Sequence, residues 1–203
     1  ETGMDASRAM SQRSKLTFRI VPPSHTFAKS VYGKYGQIFL FSNKEPAMEH
    51  ENYMREALLL AREAAAEGEV PVGCVIVKDG KIIGRGRNRR EEKQRTSSHA
   101  EMEAIAQANE ALKSWRLDGC ALYVTLEPCP MCAGAILNAR IRRVWYGARD
   151  EAFGACGGVT NLFMEQFPHR PALVGGILAE DCQAVLAEFF EKLRQGKPST
   201  QSF

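Results

Sequence analysis

The alternation of helical and strand-like segments from Met48 onward constrains the fold more than any other feature of the sequence. Apolar residues recur at helical spacing in four segments, 53–64, 99–112, 130–139 and 180–195. Short apolar runs that predict strands lie between them, at 72–77, 81–86, 121–126, 143–146 and 173–177. Because alternating strands and helices fold in layers, we expect a three-layer α/β/α sandwich around a mixed β-sheet.

The connections between these segments are also predictable. Asp79-Gly80 is typical of a two-residue hairpin turn between the first two strands. Residues 87–98 are predicted to be a polar loop. Residues 149–171 are predicted to form a long loop that contains one helical turn near 161–166.

The predicted domain covers residues 48–196, and residues 1–47 differ from it in composition. They hold seven basic and three acidic residues, whereas the remaining 156 residues hold 20 basic and 21 acidic ones. Since residues 1–47 have no sustained periodicity, we expect a poorly ordered extension. Three origins of this extension stay open. Its first residues, Glu1-Thr2-Gly3, are a cloning remnant, or the whole extension is sequence upstream of a start at Met48, or it is a transit peptide. Residues 197–203 are expected to be a flexible tail.

The composition excludes several classes of protein. With 44% hydrophobic and 25% charged residues, the chain has an ordinary globular core and is neither a coiled coil nor disordered throughout. No run approaches the roughly 18 apolar residues of a membrane helix. Six cysteines are too few for a disulfide scaffold, so they favour a metal or redox site in a reducing compartment. We expect a cytoplasmic protein without a secretory signal, or an organellar one if residues 1–47 are a transit peptide.

Two short motifs carry the chemistry. His99-Ala100-Glu101 begins one predicted helix, and Cys129 and Cys132 begin another, where their spacing places both thiols on one face. A catalytic zinc site has three protein ligands and one water, and a helix N-terminus favours the thiolate that binds metal. We therefore expect His99, Cys129 and Cys132 to bind one Zn²⁺ per subunit.

Glu101 lies two residues after His99, so on a helix the two side chains do not point the same way. A carboxylate there can take a proton from the metal's water and deliver it to a leaving amine. Two structural alternatives stay open. Ser98-x-x-Glu101 also fits a helix capping box, and the Cys129/Cys132 pair also fits a structural zinc knuckle or a redox pair. Four cysteines outside the motif are expected to be small buried apolar residues: Cys74, Cys120, Cys156 and Cys182.

His-x-Glu followed by Pro-Cys-x-x-Cys is the signature of zinc-dependent deaminases of the cytidine-deaminase type. Between about residues 49 and 195 the sequence resembles, more closely, the bacterial tRNA-specific adenosine deaminases. The segments that carry this resemblance are Glu69-Val70-Pro71-Val72-Gly73, Gly86-Arg87-Asn88-Arg89, Thr125-Leu126-Glu127-Pro128-Cys129, Met131-Cys132-Ala133-Gly134-Ala135, Gly147-Ala148-Arg149-Asp150 and Gly176-Ile177-Leu178. The resemblance implies a cytidine-deaminase-like fold and a homodimer that converts the wobble adenosine of a tRNA anticodon to inosine.

The resemblance also implies roles for single residues. Glu101 would be the proton shuttle beside the zinc ligands His99, Cys129 and Cys132. Asn88 would hydrogen-bond the flipped nucleotide, and Asp150 would lie near the neighbouring nucleotide. The walls of the pocket would come from Val70, Pro71, Ala100 and Leu126.

A basic segment precedes His99. Residues 85–95 hold six basic residues and two acidic ones, a composition that fits either a grip on a phosphate backbone or a solvated surface loop. In the last helix a predicted buried stripe (Val185, Leu186, Phe189, Leu193) leaves Phe190 free to stack on an unpaired base. The candidate RNA contacts are Arg87, Arg89, Arg90, Lys93, Phe190 and Arg194.

The expected function is zinc-dependent hydrolytic deamination of adenosine in a tRNA anticodon stem-loop. A free nucleobase or nucleoside deaminase acting on guanine or cytosine is an alternative with the same zinc chemistry, but it needs neither the basic segment nor the terminal helix. A non-catalytic RNA-binding zinc protein is a second alternative, and it needs no Glu101. We expect the apolar segment Ala135-Ile136-Leu137 to bury against a second copy in the homodimer.

Overall fold

The structure is a computed structural model, and it describes residues 47–195. The predicted tail and, apart from Ala47, the predicted extension therefore lie outside the described residues. None of the helices among these residues combines the length and the apolar composition of a membrane-spanning helix. The elements follow in the order α1 (Ala47–Ala66), β1 (Gly73–Lys78), β2 (Lys81–Arg87), α2 (Arg90–Lys93), α3 (Ala100–Leu112), β3 (Ala121–Leu126), α4 (Pro130–Asn138), β4 (Arg143–Ala148), a 3₁₀ turn (Leu162–Met164), β5 (Ala172–Gly175) and α5 (Ala179–Gln195).

The five strands form one mixed sheet in the order β2-β1-β3-β4-β5. β1 is antiparallel to both β2 and β3, whereas β3, β4 and β5 are parallel to one another. Asp79 and Gly80 connect β1 to β2, and both have a positive φ, as the tight turn predicted at this dipeptide requires. The mixed sheet predicted from the sequence is confirmed.

Helices cover both faces of the sheet. Cys74 and Ile76 of β1 point into the core beneath α3 and α4, and Val75 and Val77 point into the core beneath α1 and α5. Because successive strand residues face opposite sides, a strand that is covered on both sides is apolar throughout. The continuous apolar run of β1 is thus explained by its central place in a three-layer sandwich.

Two glycines allow helices to approach the sheet closely. A Cβ atom at Gly73 would lie 2.0 Å from the carbonyl oxygen of Ala57 in α1, and one at Gly86 would lie 2.1 Å from that of Ala100 in α3. Any side chain at these positions would push the helix away. Gly86 therefore fixes the first turn of α3 against the end of β2, which brings Asn88 close to the residues that begin α3.

Some details differ from the prediction. The segment 87–98 is not wholly a loop, because it contains the short helix α2 and the end of β2. The segment Ala135-Ile136-Leu137 belongs to α4, and Ile136 and Leu137 are buried in the core of this same chain. For Ile136 and Leu137, the expectation that this segment packs against a second copy was therefore wrong, whereas Ala135 is half-buried. Leu193 was expected in the buried stripe of α5, but it is 45% exposed.

Candidate active site

His99, Cys129 and Cys132 meet just beyond the carboxyl end of β3. The chain leaves β3 at Leu126 and reaches Cys129, the N-cap residue of α4, while His99 is the N-cap residue of α3 on the same side of the sheet. His99 Nδ1 lies 3.7 Å from Cys129 Sγ and 3.6 Å from Cys132 Sγ. The three residues that the two motifs single out are thus brought together by two helix N-termini.

The spacing of these atoms fits a tetrahedral zinc ion. With Zn–S bonds of about 2.3 Å and Zn–N bonds of about 2.0 Å, a tetrahedron separates its nitrogen and sulfur ligands by about 3.5 Å. Among residues 47–195, no further His, Cys, Asp or Glu joins this group of possible ligands. Three protein ligands leave one coordination position open, which is the pattern of a catalytic rather than a structural zinc site.

Hydrogen bonds within the cluster divide its protons unequally. The hydrogen bond from Cys132, with a further one from His99, lowers the pKa of Cys129 to about 4. The pKa of Cys132 is raised because its proton is held in that bond and because the thiol is buried. The bond to Cys129 likewise raises the pKa of His99. Cys129 is therefore a thiolate at neutral pH, the form in which cysteine binds a metal.

Glu101 lies in the first turn of α3 and is only 4% exposed. Burial raises the pKa of this carboxyl group to about 7, and the Cys132 side chain lies within hydrogen-bonding reach. A carboxyl group with a pKa near neutrality can both accept and release a proton at physiological pH. The position and the pKa of Glu101 both suit proton transfer beside the ligand cluster.

The capping-box alternative for Glu101 was wrong. The N-cap residue of α3 is His99 rather than Ser98, and it makes no side-chain capping hydrogen bond. Ser98 instead closes a turn, in which its N–H donates to the carbonyl of Arg95 at 3.1 Å. The helix therefore begins one residue later than a capping box would require, so that the imidazole rather than a hydroxyl occupies the N-cap position.

Asn88 is held between two segments that flank the cluster. Its backbone N–H donates to the carbonyl of Val72 at 3.0 Å, and the N–H of the next residue, Arg89, donates to the carbonyl of Ser98 at 2.9 Å. These bonds tie Asn88 to the segment that contains Val70 and Pro71 and to the residue before His99. Asn88 is therefore linked by backbone hydrogen bonds both to the segment of Val70 and Pro71 and to the residue that precedes His99 and Ala100.

Leu126 is the last residue of β3, and Asp150 follows the end of the neighbouring strand β4. Leu126 pairs with Ala148 across β3 and β4, and Asp150 follows Ala148 by two residues. The Asp150 carboxylate accepts hydrogen bonds from the N–H groups of Ala152 and Phe153, at 2.9 and 3.0 Å. Asp150 thus shapes the start of the loop after β4, which folds over the segment that carries Cys129.

Two buried carboxylates, those of Glu69 and Glu127, have no role predicted from the sequence. Glu127 is 2% exposed and accepts hydrogen bonds from the N–H groups of Asp150, Cys156 and Gly158, at 3.2, 2.9 and 2.7 Å. Glu69 is 1% exposed and accepts hydrogen bonds from Asn88 and from the backbone of Glu92. Both residues lie close to a proline, since Glu127 directly precedes Pro128 and Glu69 precedes Pro71 by two positions. An acidic residue directly beside apolar residues is the available sequence signal of a buried carboxylate, and such a buried charge needs hydrogen-bond partners.

The basic residues before α3 are paired with carboxylates. Arg89 makes a bidentate contact with Glu92, and Arg87 approaches the same carboxylate at 3.3 Å. The other pairs are Arg85–Glu56, Arg90–Glu91 and Lys93–Glu103. The positive charge counted in the sequence is thus largely compensated in the folded chain.

The two candidate RNA contacts on α5 are both at the surface. Phe190 is 42% exposed, whereas its neighbour Phe189 is buried, as the helical spacing predicts. Arg194 is exposed near the end of the helix. α5 packs mainly against β4.

The sequence of this chain is similar to those of known deaminases. Residues 48–194 match the model of the MafB19-like deaminase family. The chain is 47% identical over 152 residues to the tRNA-specific adenosine deaminase of Bacillus subtilis (strain 168), a match that covers 74% of this chain and 94% of that protein.

Two solved structures share the layered architecture. One comes from studies of A-to-I editing by tRNA deaminases at the wobble position of transfer RNA. It is 43% identical with a TM-score of 0.65, and the match covers 66% of this chain and 99% of the other. The other is the guanine deaminase of Nitrosomonas europaea, at 22% identity and a TM-score of 0.59, with 76% and 98% covered. The first structure confirms the fold class expected from the sequence, and the second shares the fold alone.

Proposed function

We propose, since this chain belongs to the family of the tRNA-specific adenosine deaminases, that it converts the wobble adenosine of a tRNA anticodon to inosine. The observation that carries the proposal is the convergence of His99, Cys129 and Cys132 beside the buried carboxyl group of Glu101. A structural zinc site or a redox pair has no use for a buried carboxyl group whose pKa is about 7. The geometry therefore favours a hydrolytic enzyme over the two structural alternatives.

In this proposal His99, Cys129 and Cys132 hold one zinc ion per chain. An imidazole and two thiols are a donor set that suits zinc, and the separations of 3.6 and 3.7 Å fit its tetrahedral geometry. When bound, the zinc would act as a Lewis acid that makes a water molecule nucleophilic at neutral pH.

Glu101 moves the protons of the reaction. Its carboxylate accepts a proton from the attacking water, whose oxygen forms a bond to C6 of the adenine. The protonated carboxyl group then donates that proton to N1, and the second proton of the water reaches the amino group by the same route. The C6–N bond breaks, ammonia departs and the base becomes hypoxanthine. Burial keeps the pKa of Glu101 near 7, so both forms of the carboxyl group are populated at physiological pH.

The pocket is formed by Val70, Pro71, Asn88, Ala100 and Leu126, with Asp150 beside the adjacent nucleotide. An enzyme that acts on a base must take it out of the stack, which costs least in a loop that is already unpaired. The phosphates of that loop are bound by Arg87, Arg89, Arg90 and Lys93, which give up their present carboxylate partners. Phe190 and Arg194 add contacts from α5.

The active form is a homodimer in this proposal, and its place is the cytoplasm, or an organelle if residues 1–47 are a transit peptide. Two apolar side chains of the loop after β4 support a protein contact there, since Phe153 is 70% exposed and Val159 is 63% exposed. Light scattering on the full chain and on residues 48–203 should report a dimer for both. A monomer in either preparation would contradict this part.

The substrate is tested with three anticodon stem-loops that carry adenosine, cytidine or guanosine at the wobble position, and with free guanine and cytosine. We expect inosine only in the adenosine stem-loop, together with an equal amount of ammonia. Release of ammonia from a free base, with no inosine in any stem-loop, would favour the free-base alternative instead.

A further inference from the structure

The buried carboxylate of Glu69 lies directly beside Asn88. Its Oε2 accepts a hydrogen bond from Asn88 Nδ2 at 3.2 Å, and its Oε1 accepts one from the backbone N–H of Glu92 at 2.7 Å. Both donors lie after β2, whereas Glu69 lies between α1 and β1. A residue that is 1% exposed therefore ties the side chain of Asn88 to the first turn of α2.

An ionised carboxylate accepts hydrogen bonds but donates none. The two ends of an asparagine amide differ, because the nitrogen donates and the oxygen only accepts. If the Asn88 amide were turned over, its oxygen would face the Glu69 carboxylate, and two acceptors would meet in a buried place. Glu69 therefore permits one of the two amide orientations, the one in which Asn88 Oδ1 points away from Glu69.

We propose that Glu69 is a positioning residue that sets which hydrogen-bonding group Asn88 offers to the nucleotide. With Glu69 in place, the amide oxygen is directed away from Glu69, so that Asn88 selects a substrate that carries a hydrogen-bond donor at this point. The second hydrogen bond, from the Glu92 backbone, keeps the carboxylate itself from turning. This inference rests on the proposed function, in which Asn88 binds the flipped nucleotide.

The first test is a double-mutant cycle with Glu69→Gln and Asn88→Ala. Glutamine has the same shape, but its amide can present either a donor or an acceptor to Asn88, so the orientation of Asn88 is no longer unique. We expect Glu69→Gln to lower kcat for the adenosine stem-loop about tenfold, as loss of a charge-assisted hydrogen bond would. In the Asn88→Ala background the same change should lower kcat less than about twofold, because the side chain that Glu69 positions is absent. Additive effects of the two substitutions would overturn the proposal.

Glu127→Gln is the matched control. Glu127 is an equally buried carboxylate that accepts backbone hydrogen bonds, but it makes no hydrogen bond to Asn88. Whatever its own effect on kcat, that effect should be the same with and without Asn88→Ala. Thermal unfolding of each variant shows whether the domain remains folded. Coupling of Glu127→Gln to Asn88→Ala as strong as that of Glu69→Gln would overturn the proposal.

The second test needs no substrate. The side-chain NH₂ signals of Asn88 in a ¹H–¹⁵N spectrum are assigned as those absent from Asn88→Ala. In Glu69→Gln we expect these signals to shift toward the values of a solvated amide or to split in two. Signals that stay unchanged would overturn the proposal. If the wild-type chain formed no inosine, the proposed function would fail, whereas this spectrum would still decide the orientation of Asn88.

Discussion

Two neighbouring regions of this protein hold their charges in opposite ways. At the carboxyl end of β3, the carboxyl groups of Glu69, Glu101 and Glu127 are at most 4% exposed. In the basic segment of residues 85–95, the charged groups form pairs at the surface, such as Arg89 with Glu92. In the proposed reaction, the buried carboxyl groups of the first region are fixed in place before the substrate binds, whereas the ion pairs of the second region are weak and exchangeable.

This difference separates chemistry from substrate binding. A buried charge costs free energy unless it is paired, so its geometry is fixed before the substrate arrives, and such preorganisation lowers the barrier of the chemical step. Exposed ion pairs contribute about 0–1 kcal/mol each and are screened by salt, so a phosphate can replace the carboxylate. Substitutions in the first region should therefore act on kcat and on the metal, and those in the second on KM.

The largest effect is expected from loss of a ligand. Cys129→Ala should reduce the zinc content from about one equivalent per chain to nearly none and abolish activity, because two ligands do not hold the ion. Elemental analysis of the purified protein measures this. Cys120→Ala is the control, since Cys120 is buried away from the cluster and its loss should leave the zinc in place. Full zinc in Cys129→Ala would refute the ligand assignment.

Glu101→Gln should come next. The substitution keeps the size of the side chain but removes the group that transfers protons, so kcat should fall by about 10²–10⁴-fold. Zinc content and thermal unfolding should stay close to those of the wild type, because glutamine has the same shape as glutamate and Glu101 is not one of the three possible ligands. A variant that keeps a tenth of the wild-type kcat would show that Glu101 is not the proton shuttle.

The group of possible zinc ligands and the layers of the fold could be predicted from the sequence because their signals are local. Periodicity identifies a buried strand within six residues, and ligands three apart fall on one face of a helix. The roles of Glu69 and Glu127 could not be predicted, since their partners are backbone N–H groups 23 to 31 residues away and, for Glu69, also the Asn88 side chain. Backbone donors carry no signature in the sequence.

One structural alternative and one expectation from the sequence were wrong for related reasons. Ser98-x-x-Glu101 satisfies the pattern of a capping box, but the packing of Gly86 against the first turn of α3 and the turn at Ser98 place the helix start at His99. The apolar residues Ile136 and Leu137 were correctly expected to be buried, but a single sequence does not tell whether the covering surface is its own core or a second copy. In both cases tertiary contacts decide between local patterns that look the same.

A smaller effect is expected from the basic segment. Replacement of Arg87 and Arg89 together by Ala should raise KM for the adenosine stem-loop about tenfold and change kcat less than about twofold, since both side chains bind phosphates in the proposed complex. The slope of log KM against log salt should fall by about two. A fall in kcat with unchanged KM would show that these arginines act in the chemical step and not in RNA binding. The two regions would then not differ in function.

The smallest effect, and the one of opposite sign, is expected from Glu92→Gln. In the free protein the Glu92 carboxylate occupies the fork of Arg89 and lies 3.3 Å from Arg87, so an incoming phosphate must displace it. The hydrogen bond from Arg89 lowers the pKa of Glu92 to about 2, so this competing charge is present at every physiological pH. Its removal should lower KM for the stem-loop about two- to threefold, in line with the small free energy of an exposed pair.

Asp118→Asn separates this effect from net charge. Asp118 forms an equally exposed pair with Arg116, at 2.8 Å, and its loss also raises the net charge of the chain by one. If Glu92 competes with phosphate for Arg87 and Arg89, Glu92→Gln should lower KM and Asp118→Asn should leave it nearly unchanged. Equal decreases of KM in both variants would mean that RNA binding depends only on the net charge of the protein. An unchanged KM in Glu92→Gln would mean that phosphates do not bind at this pair of arginines.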